Sequence, residues 1–170
     1  YFDADTKFYT IQGGHGGFVS MNSDYTDGGN LLLTNSAKPR DNKGLWAFVS
    51  QSTGKYKVYN YSTGLSKVLG ITGTEANARA TMVKDGTDGY STLFSGTFNF
   101  NSTPSYVKID GGNHWWNKRG DFLALWNTGS VTGDTGSKFF FTEVDPADYP
   151  DTYYYEVQNI TGVAEFSPKN

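Results

Sequence analysis

Cysteine is absent from the 170-residue sequence. No disulfide framework, thiolate nucleophile or zinc–thiolate centre can be built, which excludes the disulfide-stapled class of secreted domains. A chain without cysteine fits a reducing cytoplasm or a bacterial exported protein. No apolar run approaches the roughly 18–20 residues a membrane span needs. No run of Lys or Arg occurs and the formal charge is −3, so neither nucleic acid nor an anionic membrane is expected as a main partner. The helix formers Ala, Leu, Glu and Met are scarce, too thin for helices of ordinary length. The chain begins without Met and shows no signal-peptide pattern, as expected of a mature or trimmed fragment.

Catalytic chemistry is equally thin. The two histidines are His15, in a glycine loop, and His114, beside two tryptophans. There is no His-x-x-x-His, no His-Glu-x-x-His and no Gly-x-Ser-x-Gly elbow. The carboxylates are scattered, so spacing yields no glycosidase pair. Asp24-x-x-Asp27-Gly28 and Asp85-Gly86-Thr87-Asp88-Gly89 are similar to calcium loops but lack the terminal glutamate. They read as plain Asp-Gly turns. No enzyme, metal or cofactor is expected. Three Asn-x-Ser/Thr sequons, at Asn60, Asn101 and Asn159, carry no meaning without a eukaryotic secretory context.

What is abundant is Gly (21), Tyr (12) and Phe (12), with Ser, Thr and Asn. Aromatic residues favour strands, while Gly, Asn, Asp and Ser favour turns. Phe8–Gln12 runs into the glycines at 13–17, Phe18–Met21 into Asp24–Asn30, and Leu31–Leu33 into a polar loop. Leu45–Val49 and Tyr56–Tyr61 follow. A strand about every 8–12 residues with glycine punctuation signals a sandwich or a barrel.

A repeat favours the barrel. Segments open at Tyr9, Tyr56 and Tyr106, which lie 47 and 50 positions apart. They close at Trp46, Phe94 and Phe139, which lie 48 and 45 positions apart. Gly17, Gly64 and Gly112 precede the middle of each unit. Three four-stranded units, none able to bury its apolar face alone, can close a barrel and cap it with hairpins, the aromatic openers and closers meeting on the axis. The expected fold is an all-β β-trefoil over residues 8–144, with repeats at about 8–54, 55–104 and 105–144. The alternative is a two-sheet sandwich. Residues 1–7 read as a linker. The Pro/Asp-rich segment from Asp145 and the segment Tyr153–Gln158 read as a linker and an extra strand over 145–170.

The order Tyr-x-Ile, Gly17-Phe18-Val19-Ser20, Gly-x-x-Leu-Leu and Leu45-Trp46-Ala47-Phe48 resembles one repeat of a ricin-B-type lectin domain. Tyr56–Leu65 resembles the opening of the next. The family closes each repeat with Gln-x-Trp; here the closers are Gly44-Leu45-Trp46, Thr92-Leu93-Phe94 and Ser137-Lys138-Phe139. The aromatic is kept and the glutamine is not.

The resemblance implies sugar binding by an aromatic face and planar hydrogen-bonding side chains. In the first repeat Ser20 stands where the family has its aspartate, and Thr34 lies near the aromatic position. The second, at Ala78–Met82, has no stacking ring. The third places Trp126 at the stacking position, followed by Asn127. Asp110, His114, Trp115, Trp116 and Asn117 stand nearby in sequence. Three of the four tryptophans thus lie between positions 115 and 126. On a strand, Trp115 and Trp116 must face opposite ways. Core packing is the competing explanation of this cluster. The expected function is a non-catalytic carbohydrate-binding module of a larger secreted, periplasmic or cell-surface protein, of bacterial type, with a glycan and neighbouring domains as partners. The alternatives are a structural or protein-interaction trefoil and, more remotely, a protease inhibitor using Ala37–Asp41.

Overall fold

The structure is a computed structural model that describes residues 2–21, 32–33 (backbone only) and 38–150. Its strands are β1 (Phe8–Gly13), β2 (Val19–Ser20), β3 (Leu32–Leu33), β4 (Trp46–Ser52), β5 (Lys55–Asn60), β6 (Lys67–Thr72) and β7 (Ala80–Lys84). They continue with β8 (Tyr90–Ser91), β9 (Phe94–Thr97), β10 (Tyr106–Ile109), β11 (Trp116–Arg119), β12 (Phe122–Leu125) and β13 (Phe139–Val144). Among the described residues the helical elements are short 3-10 turns alone, in keeping with the shortage of helix formers.

Six strands form one antiparallel sheet in the order β10-β9-β5-β4-β1-β13. The sheet closes on itself: Ser105 N–H donates to the Phe139 carbonyl at 2.7 Å, and Phe139 N–H returns to Ser105 at 3.1 Å. Closure removes the exposed edges that an open sheet would present. The remaining strands pair as caps, β2 with β3, β6 with β7 and β11 with β12. Each unit contributes its first and fourth strand to the barrel and its middle pair to a cap. The short β8 is an addition beside β6. This is the threefold barrel expected from the period, and not a sandwich.

The three closers behave alike. Trp46, Phe94 and Phe139 each begin a barrel strand and are fully buried. The three openers do not. Tyr9 pairs with Trp46 and Tyr56 with Phe94, but the residue facing Phe139 is Ser105. Tyr106 therefore stands one position off the repeat. Side chains alternate along a strand, so one residue of offset turns Tyr106 away from the axis and puts Val107, fully buried, into the core. Phe98 and Phe100, from the β9–β10 connection, bring aromatic bulk to this mouth. Phe100 lies 5.1 Å from Tyr9, and Phe98 lies 4.5 Å from Tyr56.

The described parts of both flanks pack on the barrel. Phe2 meets Phe8 edge-on at 5.0 Å, Tyr149 is buried, and the Pro150 carbonyl accepts from Asn42 N–H at 3.1 Å. The strand expected at Tyr153–Gln158, the Asp24–Gly28 turn and Thr34 lie outside the described residues.

Candidate functional site

The candidate residues gather on the third cap. Leu123 and Leu125 of β12 point into the core and are fully buried. Alternation sends Phe122, Ala124 and Trp126 to the opposite face, where Ala124 is covered and Trp126 is exposed. Trp126 sits one pair beyond the Trp116–Leu125 register. Its N–H donates to the Trp115 carbonyl at 2.9 Å, and Trp115 N–H donates to Asn127 at 2.9 Å. At 37% exposure, Trp126 is one of three large apolar side chains exposed among the described residues.

Its ring is not bare. The Arg119 guanidinium carbon lies 3.5 Å from the ring centroid, and Arg119 Nε donates to Asn77 Oδ1 at 3.1 Å. Trp115 is half-buried. Its edge lies against Gly96, where a Cβ would come within 2.9 Å of the indole and 2.3 Å of the Tyr106 carbonyl. The Lys108 ammonium lies 5.3 Å from the Trp115 ring centroid.

Beneath this face lies a polar knot. Asp134 Oδ2 accepts from Asn117 Nδ2 at 2.9 Å and from Asn127 Nδ2; Oδ1 accepts from Gly136 N–H at 3.0 Å. Asn117 Nδ2 also reaches Ser137 Oγ at 2.9 Å. Asp134 caps the turn Thr135–Ser137, as aspartate does at helix starts.

The structure thus separates the seven residues singled out from the sequence. Trp115, Trp126 and Asn127 meet at the open end of the hairpin. Trp116 is a correction: it is fully buried, edge-on to Phe94 at 5.3 Å and to Phe139 at 5.8 Å. It plugs the barrel because its neighbour Trp115 takes the other face of the strand. Asn117 is a second correction. It is buried with its amide nitrogen committed to Asp134 and Ser137, so it supports the hairpin from below. Asp110 and His114 belong to the β10–β11 turn, where Asp110 pairs with Lys55 at 3.1 Å. Sequence reasoning missed Asp134, Arg119 and Arg79. Asp134-Thr135-Gly136-Ser137 is a legible capping signal; the arginines carry none.

Two tyrosines lie in perturbed surroundings away from this face. Burial, then the Asp85 carboxylate 3.2 Å away, pushes the Tyr59 hydroxyl up to about 12. Burial raises Tyr9, helped by Glu143. Among the described residues no cluster of three or more His, Cys, Asp or Glu could hold a metal. No helix there is long and apolar enough to cross a membrane.

Comparison with solved structures agrees with the topology. A designed threefold-symmetric protein, ThreeFoil, superposes with a TM-score of 0.60 at 16% identity, covering 81% of this chain and 98% of that one. The chain is a β-trefoil. An exo-β-1,3-galactanase from Clostridium thermocellum matches with a TM-score of 0.64 at 13% identity, over 85% of this trefoil chain and 31% of the galactanase. An endo-β-galactosidase from Clostridium perfringens that releases GlcNAcα1-4Gal matches at 0.61 and 13%, over 82% and 33%. The trefoil chain therefore spans about a third of each of these two enzymes. No family model and no curated protein matches the sequence.

Proposed function

We propose that this trefoil is a non-catalytic carbohydrate-binding module of a larger extracellular protein, secreted, periplasmic or at the cell surface. It holds a glycan by aromatic stacking and hydrogen bonds on the third repeat. The observation that carries the reading is Trp126: a large aromatic on the outer face of a cap hairpin, partly open to water beside half-buried Trp115. Exposed aromatics of this kind stack on the CH faces of sugar rings. The two clostridial enzymes, named for acting on galactose-containing glycans, support the reading because a like-folded part of each accompanies glycan chemistry.

One observation favours a second reading, a structural or protein-interaction trefoil with degenerate sugar sites. Asn117 and Asn127 are both committed to Asp134, and Arg119 covers one face of Trp126. The deciding experiment is a glycan-array screen of the 170-residue chain, followed by tryptophan fluorescence titration of each hit. Under the lectin reading a saturable hit shifts the tryptophan emission, and Trp126→Ala abolishes it while costing about 1 kcal/mol or less of stability. An array negative across plant, host and microbial glycans moves the assignment to the interaction module.

A further inference from the structure

The sequence has three arginines, Arg40, Arg79 and Arg119. The fold brings two of them to one place. A pocket of about 410 Å³ lies between the second and third caps, lined by Asn77, Arg79, Arg119, Gly120, Phe122 and Ala124. Arg79 precedes β7 and bridges to Ala124 of β12, so the two caps are stitched edge to edge. No carboxylate lines the pocket. Neither Arg79 nor Arg119 forms an ion pair with any described residue, and Asp121, in the hairpin turn beside them, makes none either.

Each guanidinium sits over the face of an aromatic ring. Arg79 sits 3.8 Å from the Phe122 centroid and Arg119 3.5 Å from that of Trp126. Stacking uses the face of the guanidinium and leaves its N–H donors in the plane around the edge. Arg119 spends one of these on Asn77; Arg79 makes no hydrogen bond among the described residues. Asn77 is itself held in the left-handed region at φ +71, with its N–H donating to the Leu125 carbonyl at 2.7 Å. Two guanidiniums, neither in an ion pair with a described residue, thus share one pocket that no carboxylate lines. Guanidinium donors are suited to planar and tetrahedral oxyanions.

We propose that this pocket binds the acid group, a carboxylate or a sulfate, of an acidic glycan whose neighbouring ring lies along Trp126. This rests on the lectin reading and narrows it: the preferred sugars are uronate-bearing or sulfated. Arg79 and Arg119 are the specificity residues, and Arg119 joins the pocket to the stacking surface.

The test is calorimetric titration of the full chain with four probes and their controls. The probes are chondroitin sulfate oligosaccharide, its chemically desulfated form, oligogalacturonate and its methyl ester; sodium sulfate and neutral galacto-oligosaccharide are the controls. The expected result is binding of at least one acidic probe, weakened about ten-fold by Arg79→Gln and by Arg119→Gln. Arg119→Lys, which keeps the charge and loses the planar fork, should weaken it as well. Added salt should weaken binding further. Loss on desulfation assigns a sulfate, and loss on methylation a carboxylate. If neutral and acidic glycans bind alike, and the Gln variants bind as the parent does, the anion site is overturned while the lectin reading stands. If no acidic probe binds, the anion site is overturned, while the lectin reading is decided separately by the glycan array. If sodium sulfate binds as tightly as the oligosaccharides, the site is one for small anions and the glycan assignment is overturned. Unchanged thermal melting of the variants confirms that they fold.

Discussion

Two buried tryptophans differ by one hydrogen bond. Trp46 and Trp116 are both fully buried, but Trp46 Nε1 donates to the Val19 carbonyl at 2.8 Å, while Trp116 Nε1 has no partner among the described residues. Phenylalanine at position 46 strands the Val19 carbonyl, at a cost of about 1–3 kcal/mol beyond the lost ring volume. At position 116 the same change also removes a buried, unpaired donor. Trp46→Phe is therefore expected to be clearly more destabilising than Trp116→Phe, as measured by urea denaturation of the two variants. Equal losses would mean that the indole N–H contributes nothing at either site. Asp134 offers a second test at this scale. Its carboxylate joins Asn117, Asn127 and Gly136, so Asp134→Ala leaves polar groups under the hairpin without their acceptor. The expected loss is about 1–3 kcal/mol, with a lower melting temperature as the readout.

At the scale of elements, the third cap depends on how closely β9 lets Trp115 approach. Gly96 has φ +127 and lies against the edge of the Trp115 ring. A side chain there meets both an unfavourable backbone region and the Tyr106 carbonyl. Gly96→Ala should cost about 1–3 kcal/mol from the backbone alone, which is about 2–4 °C in melting temperature per kcal/mol for a chain of this size. A melting temperature equal to the parent's would show that β9 and Trp115 can part without loss. Register is the other lesson here. The third strand opener was legible as an aromatic at Tyr106, but the residue facing Phe139 is Ser105. Residue type marks where a strand begins; only its pairing partner sets which face is inside.

For the whole molecule, the tyrosines make stability depend on alkaline pH. The folded state holds the Tyr59 proton up to about 12, against an ordinary value of 10.0. A group whose folded value is raised contributes stability that is fully present below the unfolded value and is lost as pH rises through the folded one. Stability should therefore decline between about pH 10 and 12, and more shallowly in Tyr59→Phe. Denaturant midpoints measured at intervals from pH 8 to 12 check this; parallel curves for parent and variant would remove Tyr59 as the cause.

The sequence by itself determined the all-β class, the threefold period and the three buried closers. Large aromatics recurring every 45–48 residues, between runs too short to fold alone, have only a common axis in which to hide. It also showed that Trp115 and Trp116 must part, since neighbours on a strand face opposite ways. It did not show which of them is buried, nor that Asn117 and Asn127 converge on Asp134. The arginine pocket was least legible: Arg119 and Asn77 stand 42 residues apart and meet only because the second and third caps pack side by side. Such contacts depend on how separate hairpins dock around the barrel, and tertiary structure alone decides that.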